Sequence, residues 1–292
     1  MAQTNPSPAL RKTVIEAGGR NLQYWKDTWR YRGLAWDMAR RNITVRYKQT
    51  VIGFGWSIVN PIISTIVMSF VFGNLAGFAG ATEINYNVCV LAGTIPWGMF
   101  SRCCTNNADV FRAGASLWSK CYFPRLILPL SGLYTTFLDN ILTYAILFFF
   151  MGITHYVPPV RLLLSVPLLV PIALLGTFIG FVFSSYVIRW RDLGYVLPII
   201  LQIGQYLTPV AYSAANIEKA MGGGLTHTLY NIAYTINPMV GYETLFKWTM
   251  LDDPVFAFDW WSVGVSVAWT VAFGVFGISR FRKAERTFVD MV

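Results

Sequence analysis

Charged side chains are scarce in this sequence. They make up 13% of its 292 residues, about half the share found in a typical soluble domain, while 55% of the residues are hydrophobic. A soluble protein of this length cannot hide so much apolar surface in one core. The composition therefore excludes an ordinary water-soluble enzyme and predicts that lipid solvates part of the chain.

Several catalytic and metal-binding motifs are also missing. The chain has no G-x-x-x-x-G-K-[ST] loop for nucleotide phosphates, no H-E-x-x-H zinc motif and no G-x-S-x-G nucleophile motif. Its two histidines, His155 and His227, lie far apart in the sequence. We therefore predict no catalytic residue, no metal site and no cofactor bound by this chain itself.

The four cysteines give no sign of disulfide or metal chemistry. No C-x-x-C pair occurs among them, and they are Cys89, Cys103, Cys104 and Cys121. We predict reduced, partly buried thiols. The N-terminus contains no apolar segment of the kind found in a cleavable signal peptide, so none is expected.

Long uncharged runs are what the chain has in place of these motifs. About 20 apolar residues are enough for a helix to cross the hydrocarbon of a bilayer. The runs lack the alternating pattern that is typical of membrane β-barrels. We predict an all-α integral membrane protein with six transmembrane helices, at about 58–78, 84–101, 126–151, 162–188, 193–212 and 260–278.

The basic residues are distributed unevenly between the two sides of this topology. Ten lie in the segment up to Lys48, four in 102–125, two in 189–193 and four in the tail from Arg280. All of these fall on one side, and only Arg161, Lys219 and Lys247 fall on the other. Since positive charge accumulates in cytoplasmic loops, we predict that both termini are cytoplasmic. The net charge of +9 then needs no nucleic-acid partner.

The N-terminal segment has the pattern of a basic amphipathic helix. Large apolar residues recur at roughly helical spacing between basic ones, and they are Leu22, Trp25, Trp29, Trp36 and Ile43. This pattern is typical of a helix that lies in the membrane plane. A helix that packs on a soluble partner is the alternative.

Asp139 is the one acidic residue inside a predicted span. An intramembrane carboxylate is a candidate proton relay or cation site, but a relay needs a second buried ionisable group. We therefore favour an aspartate that ties helices together within the bundle. The spacing of Gly176 and Gly180 in the fourth span likewise favours close helix packing.

The segment 213–259 is the largest piece between two predicted spans. "LTHTLYNIAYTIN" and "MVGYETLFKWTM" each predict a short helix with an apolar face, and Asn237-Pro238 divides them. Both are too short to span a bilayer. They either rest at the outer interface or dip into the membrane.

Four stretches together resemble the permease subunit of ATP-binding-cassette type-2 polysaccharide exporters, which move O-antigen, teichoic acid or capsular polysaccharide. They are "RRNITVRYKQTVIGFGWSIVNPII" (40–63), "LWSKCYFPRLILPLSGL" (117–133), "RDLGYVLPIILQIGQYLTPVAYS" (191–213) and "INPMVGYETLFK" (236–247). The resemblance covers most of the chain from about residue 20 onward.

The resemblance implies a homodimeric pore in the bacterial cytoplasmic membrane and two copies of a partner ATPase, which bind ATP and magnesium. It divides the chain into a cytoplasmic segment with the interface helix (1–50), a six-helix domain (51–280) and a cytoplasmic tail (281–292). Within the six-helix domain it implies an ATPase-coupling loop at 102–125, with Arg112, Lys120 and Arg125, and an outer gate region at 213–259.

The resemblance also suggests where the cargo passes. The first and fifth helices line the pore in this family, and they carry Phe70, Phe72, Tyr206 and Tyr212, whose ring faces suit the apolar faces of sugars. Aromatic residues that face lipid are the alternative for each of them. Arg40, Arg41 and Arg46 are candidates to contact a lipid-linked pyrophosphate at the cytoplasmic entrance, because arginine forks match phosphate oxygens.

Three other functions compete with polysaccharide export. The nearest is a drug-exporting or lipid-exporting permease of the same superfamily. A membrane-embedded glycosyl or lipid-phosphate transferase would need clustered acids, whereas the acids of 213–259 are scattered: Glu218, Glu243, Asp252, Asp253 and Asp259. An ion-coupled carrier is disfavoured by the single buried charge.

Overall fold

The computed structural model describes residues 21–48, 55–118, 123–213 and 225–289, and these residues are helical with no β-strand. The prediction of an all-α protein is confirmed for them. The helices are α1 (Asn21–Arg30), α2 (Arg32–Lys48), α3 (Trp56–Met68), α4 (Tyr86–Ala108), α5 (Val110–Trp118), α6 (Ile127–Ile153), α7 (Ser165–Val187), α8 (Leu193–Leu207), α9 (Leu225–Ile236), α10 (Val240–Met250) and α11 (Trp260–Val289).

Among the described residues, four helical segments are long and apolar enough to cross a membrane: Trp56–Leu75, Ile127–Ile153, Val160–Val187 and Pro254–Glu285. The first joins α3 to a wider, π-helical stretch, Ser69–Leu75. The chain is therefore a multi-pass membrane protein. Helices also occupy the other two predicted spans, but α8 has only 15 residues and α4 is less apolar, so the six-span count stays a prediction.

Helix α4 lies at the centre of the bundle, in contact with α3, α6, α7, α8 and α10. Its segment Val88–Ala92 is almost wholly buried. A helix that neighbouring helices shield from lipid does not need an apolar exterior, and its polar side chains find partners inside the protein. Asn107, for example, donates to the hydroxyl of Thr177 on α7 over 3.4 Å. Burial therefore explains why α4 is less apolar than the outer helices.

Helices α4 and α7 approach each other closely at Gly176 and Gly180. A Cβ atom added at Gly176 would lie 2.5 Å from the carbonyl oxygen of Phe100, and one at Gly180 would lie 2.7 Å from that of Cys104. Real side chains do not tolerate such distances. The packing role predicted from the spacing of these two glycines is thus present in the structure.

The N-terminal amphipathic pattern forms two helices, α1 and α2, with a break at Tyr31. Helix α2 packs on α6 through the fully buried Ala35 and Ala39. Trp36 meets Tyr134 of α6 edge to face, with 5.8 Å between ring centroids, and is 48% exposed. The small residues Ala35 and Ala39 thus face the bundle, while Trp36 remains partly exposed.

Helices α9 and α10 begin and end close to where the sequence predicts, on either side of Asn237-Pro238. Helix α10 is not a surface helix, because most of its residues are buried against α4, α7 and α11. The Gly241 amide donates to the Ser266 hydroxyl of α11 over 3.1 Å. Burial of α10 against three other helices leaves both placements that the sequence allows, at the outer interface or dipping into the membrane, as predictions.

Candidate functional site

Three of the four aromatic residues predicted to line a pathway come together in the structure. Phe72 lies 6.3 Å from Tyr206 and 5.8 Å from Tyr212, between ring centroids. Phe78, which the sequence analysis did not single out, joins them at 6.5 Å from Phe72 and 6.4 Å from Tyr212. We call Phe72, Phe78, Tyr206 and Tyr212 the aromatic cluster. Phe70 is 56% exposed and lies outside it.

The aromatic cluster has one exposed and one buried edge. Tyr206, at the end of α8, is 48% exposed, whereas Tyr212 is 2% exposed. The Tyr212 hydroxyl donates to the carbonyl oxygen of Tyr206 over 3.0 Å, so the two tyrosines are fixed relative to each other. The cluster therefore presents a preformed aromatic surface next to the point where α8 ends.

That point is an irregular stretch, Thr208–Ser213, which we call the 208–213 turn. All six of its residues are buried. Non-helical backbone at membrane depth has to find hydrogen-bond partners within the protein. The Tyr86 hydroxyl donates to the carbonyl oxygen of Ala211, and the Asn237 side-chain amide donates to the Thr208 hydroxyl over 2.8 Å.

Lys247 of α10 supplies two further hydrogen bonds to the 208–213 turn. Its ammonium donates to the carbonyl oxygen of Pro209 and, over 3.1 Å, to that of Tyr212. Lys247 is 2% exposed, and Glu243, one turn earlier on the same helix, is fully buried. Neither carboxylate oxygen of Glu243 has a hydrogen-bond partner among the described residues.

Burial shifts the acidity of both groups, which lie outside the four spanning segments. It raises the pKa of the Glu243 carboxyl well above its ordinary value, and the positive charge of Lys247 opposes this shift. Burial also lowers the pKa of Lys247 to about 8, opposed chiefly by the negative charge of Glu243. Each charge therefore favours the ionised form of the other.

These two residues correct the expectation that Asp139 is the only buried charge. From the sequence, Glu243 was expected among scattered outer acids and Lys247 among the outer basic residues. The overlooked signal is a Glu and a Lys four residues apart in an otherwise apolar helix, because residues at that spacing share one face. That face is the buried one.

Gly93 of α4 makes room for both side chains. A Cβ atom added there would lie 2.8 Å from Oε1 of Glu243 and 2.7 Å from Cε of Lys247, and it would clash with the carbonyl oxygen of Val210. Gly93 is thus the position of α4 at which Glu243, Lys247 and the 208–213 turn all come close. Any larger residue there would displace one of them.

The Asp139 carboxylate lies near two arginine side chains. It is 2.8 Å from the Arg46 guanidinium and 3.9 Å from that of Arg102. It therefore ties the end of α2 to α6. Arg40 and Arg41, also on α2, are exposed. Of the three arginines predicted to contact phosphate, Arg46 is thus engaged with Asp139.

The segment 102–125 is not a simple loop. It contains the last part of α4, which continues beyond the predicted span 84–101 to Ala108, and the whole of α5. Arg112, which is exposed, pairs with the partly buried Asp109 over 2.8 Å. Arg125 donates to the carbonyl oxygen of Glu285 at the end of α11. Lys120 lies outside the described residues.

Helix α5 is anchored to the bundle by aromatic contacts. Phe111 lies 4.9 Å from Phe281 of α11, which in turn lies 4.4 Å from Phe181 of α7, between ring centroids. These contacts connect α5 to α11 and, through Phe281, to α7. Among the described residues, no group of three or more His, Cys, Asp or Glu side chains is placed to hold a metal ion.

Comparison with known proteins gives one family and several named relatives. The sequence profile of the ABC-2 type transporters matches residues 34–244, which is more than half of the chain. This range contains Asp139, the whole aromatic cluster and Glu243, and it ends before Lys247.

Three relatives bear the name O-antigen export system permease protein RfbA. Two are from Klebsiella pneumoniae and are 26% and 27% identical to this chain over 192 residues, which is 65% of the chain and 73% of each relative. The third, from Myxococcus xanthus, is 23% identical over 223 residues, covering 76% of the chain and 82% of the relative.

Proposed function

Because the chain belongs to the ABC-2 type transporter family of membrane proteins, we propose that it is the permease subunit of an ATP-driven exporter of a lipid-linked polysaccharide. The names of the relatives, O-antigen export system permeases, support a polysaccharide cargo. The protein contributes the membrane path and holds no nucleotide-binding motif of its own.

The aromatic cluster is the observation that carries this proposal. A glycan that crosses a membrane needs a surface that binds sugar rings weakly and repeatedly, and flat aromatic faces suit the apolar faces of sugars. Phe72 and Tyr206 come from two different helices and stack at 6.3 Å, with an interplanar angle of 29°. Tyr206 is half exposed, so the cluster is open to a passing chain.

The pore lies between two copies of the chain in this proposal. Helices α3 and α8, which flank the aromatic cluster, carry large exposed apolar side chains at Ile63, Ile66, Ile199 and Ile203. Such an exposed apolar face can pack against a second copy of the chain. The two copies would then enclose the pathway between them. Both termini are cytoplasmic, and the membrane is the bacterial cytoplasmic membrane.

The cytoplasmic side holds the entrance and the connection to the motor. Arg40 and Arg41 are exposed on α2 and attract the phosphate of the lipid carrier, while Arg46 and Asp139 hold α2 in place. In each copy of the chain, helix α5, with Arg112 exposed, docks in a groove on one of the two partner ATPase subunits. Those subunits bind ATP and magnesium.

The test is ATP hydrolysis by the purified complex of this chain with its co-expressed ATPase. We expect lipid-linked glycans to stimulate hydrolysis, and carrier lipid without glycan to stimulate it less. Stimulation by drugs or simple phospholipids alone would favour the alternative of a drug-exporting or lipid-exporting permease and would contradict the polysaccharide cargo.

A further inference from the structure

The 208–213 turn owes its shape to donors from other parts of the chain. Its residues follow α8 directly, and all are buried. Within the turn, the Val210 amide donates to the carbonyl oxygen of Thr208 over 2.6 Å. The carbonyls of Pro209, Ala211 and Tyr212 instead accept hydrogen bonds from side chains of α4 and α10.

Lys247 bridges the two ends of this turn. It donates to Pro209, which lies two residues beyond α8, and to Tyr212, which belongs to the aromatic cluster. Tyr212 is thereby fixed twice, by its own hydroxyl on Tyr206 and by its carbonyl oxygen on Lys247. Hydrogen bonds from a charged donor are stronger than those from a neutral one, and more so away from water.

Glu243 accompanies Lys247 without making a hydrogen bond of its own. Its carboxylate oxygens are buried and have no hydrogen-bond partner among the described residues, although they converge with Lys247 on Gly93. A buried ammonium without a nearby negative charge is costly, and it loses its proton more readily. When it is ionised, Glu243 therefore acts on Lys247 through its charge and not through a hydrogen bond.

We propose that Lys247 and Glu243 are positioning residues of the export path: Lys247 fixes the 208–213 turn and, through it, Tyr212 in the aromatic cluster, while Glu243 supplies the countercharge. This inference rests on the proposed function, since the aromatic cluster is there the surface that contacts glycan. It adds two residues that do not themselves touch the cargo.

The experiment measures exposure of the turn directly. Val210, fully buried in the turn, is changed to Cys as a reporter, in a chain that also carries Cys121→Ser. The complex with its co-expressed ATPase is placed in nanodiscs and treated with a maleimide, and the labelled peptides are quantified by mass spectrometry. The buried native Cys103 and Cys104 serve as internal controls for the integrity of the bundle.

The key variant is Lys247→Met, which keeps most of the volume and removes the donors. We expect the thiol introduced at position 210 to be labelled at least about tenfold faster in this variant, because the turn opens more often without charge-assisted hydrogen bonds. Cys103 and Cys104 stay protected. Labelling at the parent rate would overturn the proposal.

The double variant Glu243→Gln with Lys247→Met separates hydrogen bonding from charge balance. If Lys247 positions the turn by donating, the double variant is labelled as fast as Lys247→Met. If labelling returns to the parent rate, the fast labelling came from the unbalanced charge of Glu243, and the positioning role of Lys247 is wrong.

Glycan-stimulated ATP hydrolysis, measured on the same nanodiscs, distinguishes this inference from the proposed function. We expect Lys247→Met to weaken the apparent affinity for lipid-linked glycan. Fast labelling of position 210 with unchanged stimulation by glycan would support the positioning of the turn and contradict the role of the aromatic cluster in the pathway.

Discussion

Arg46 of α2 and Asp139 of α6 form an ion pair with 2.8 Å between Nη1 and Oδ2. The two residues are 93 positions apart, so this contact links α2 to α6, a helix long and apolar enough to cross a membrane. Arg46 is 45% exposed, and an ion pair in that setting is weak on its own. The arginines of α2 thus fall into two groups, and we call this the division among them. Arg46 contacts Asp139, whereas Arg40 and Arg41 are exposed.

Charge reversal of Arg40 and Arg41 tests this division. We expect Arg40→Glu with Arg41→Glu to weaken the apparent affinity for lipid-linked glycan about tenfold or more in the ATP hydrolysis assay, because each lost phosphate contact is a charge-assisted hydrogen bond. The complex still assembles. The matched control also reverses two exposed basic residues, Lys26→Glu with Arg30→Glu on α1. Equal losses in the control would mean that net charge alone matters.

Phe72 and Phe70 form a matched pair for the aromatic cluster. They lie two residues apart, one inside the cluster and one 56% exposed outside it. We expect Phe72→Ala to lower the apparent affinity for glycan about two- to tenfold, since aromatic contacts contribute roughly 0.5–1.5 kcal/mol. Phe70→Ala leaves the affinity unchanged. The pathway is misplaced if Phe70→Ala has the larger effect.

Gly176 and Gly264 give opposite predictions for the same substitution. Gly176→Ala places a Cβ 2.5 Å from the Phe100 carbonyl oxygen and 2.9 Å from Cβ of Cys103, and we expect it to destabilise the protein by about 1–3 kcal/mol. No atom lies within 4 Å of the corresponding position at Gly264, so Gly264→Ala is neutral or stabilising. Thermal unfolding of the purified protein checks both, and a lower melting temperature in the Gly264 variant would contradict the packing.

Arg161 holds the end of α10. It donates to the carbonyl oxygens of Trp248 over 2.8 Å and Leu251 over 3.1 Å, and its guanidinium lies 4.5 Å from the Trp248 ring centroid. We expect Arg161→Lys to cost about 1–2 kcal/mol, because an ammonium cannot reproduce this fork. The exposed Arg189→Lys is the control. Equal shifts of the melting temperature in both variants would show that the fork contributes nothing.

Much of this fold follows from local pattern in the sequence. The Asn237-Pro238 break and the two apolar faces predict α9 and α10 almost to the residue, since a proline disfavours helix at the preceding position. The second predicted span shows what local pattern leaves open. The uncharged run 84–101 allows a helix that continues past Arg102 but does not set its end, and α4 runs on to Ala108, where polar side chains such as Asn106 and Asn107 find partners on α6 and α7.

The site could be predicted only in part, for a related reason. Phe72, Tyr206 and Tyr212 stand out as aromatic residues on the two helices that the family resemblance places beside a pore, but nothing local distinguishes Phe78 or excludes Phe70. Glu243 and Lys247 were missed because a charged residue in a segment between spans is ordinarily solvated. Their burial depends on where α10 packs, which is a tertiary property that the segment's own composition does not encode.

The most direct test of the central claim uses proteoliposomes that contain the chain with or without its co-expressed ATPase. Lipid-linked glycan is supplied on the ATPase side, and its appearance on the other side is measured with an impermeant glycan-binding probe. We predict translocation only when chain, ATPase and ATP are all present. Translocation by the chain alone, without the ATPase, would contradict the account.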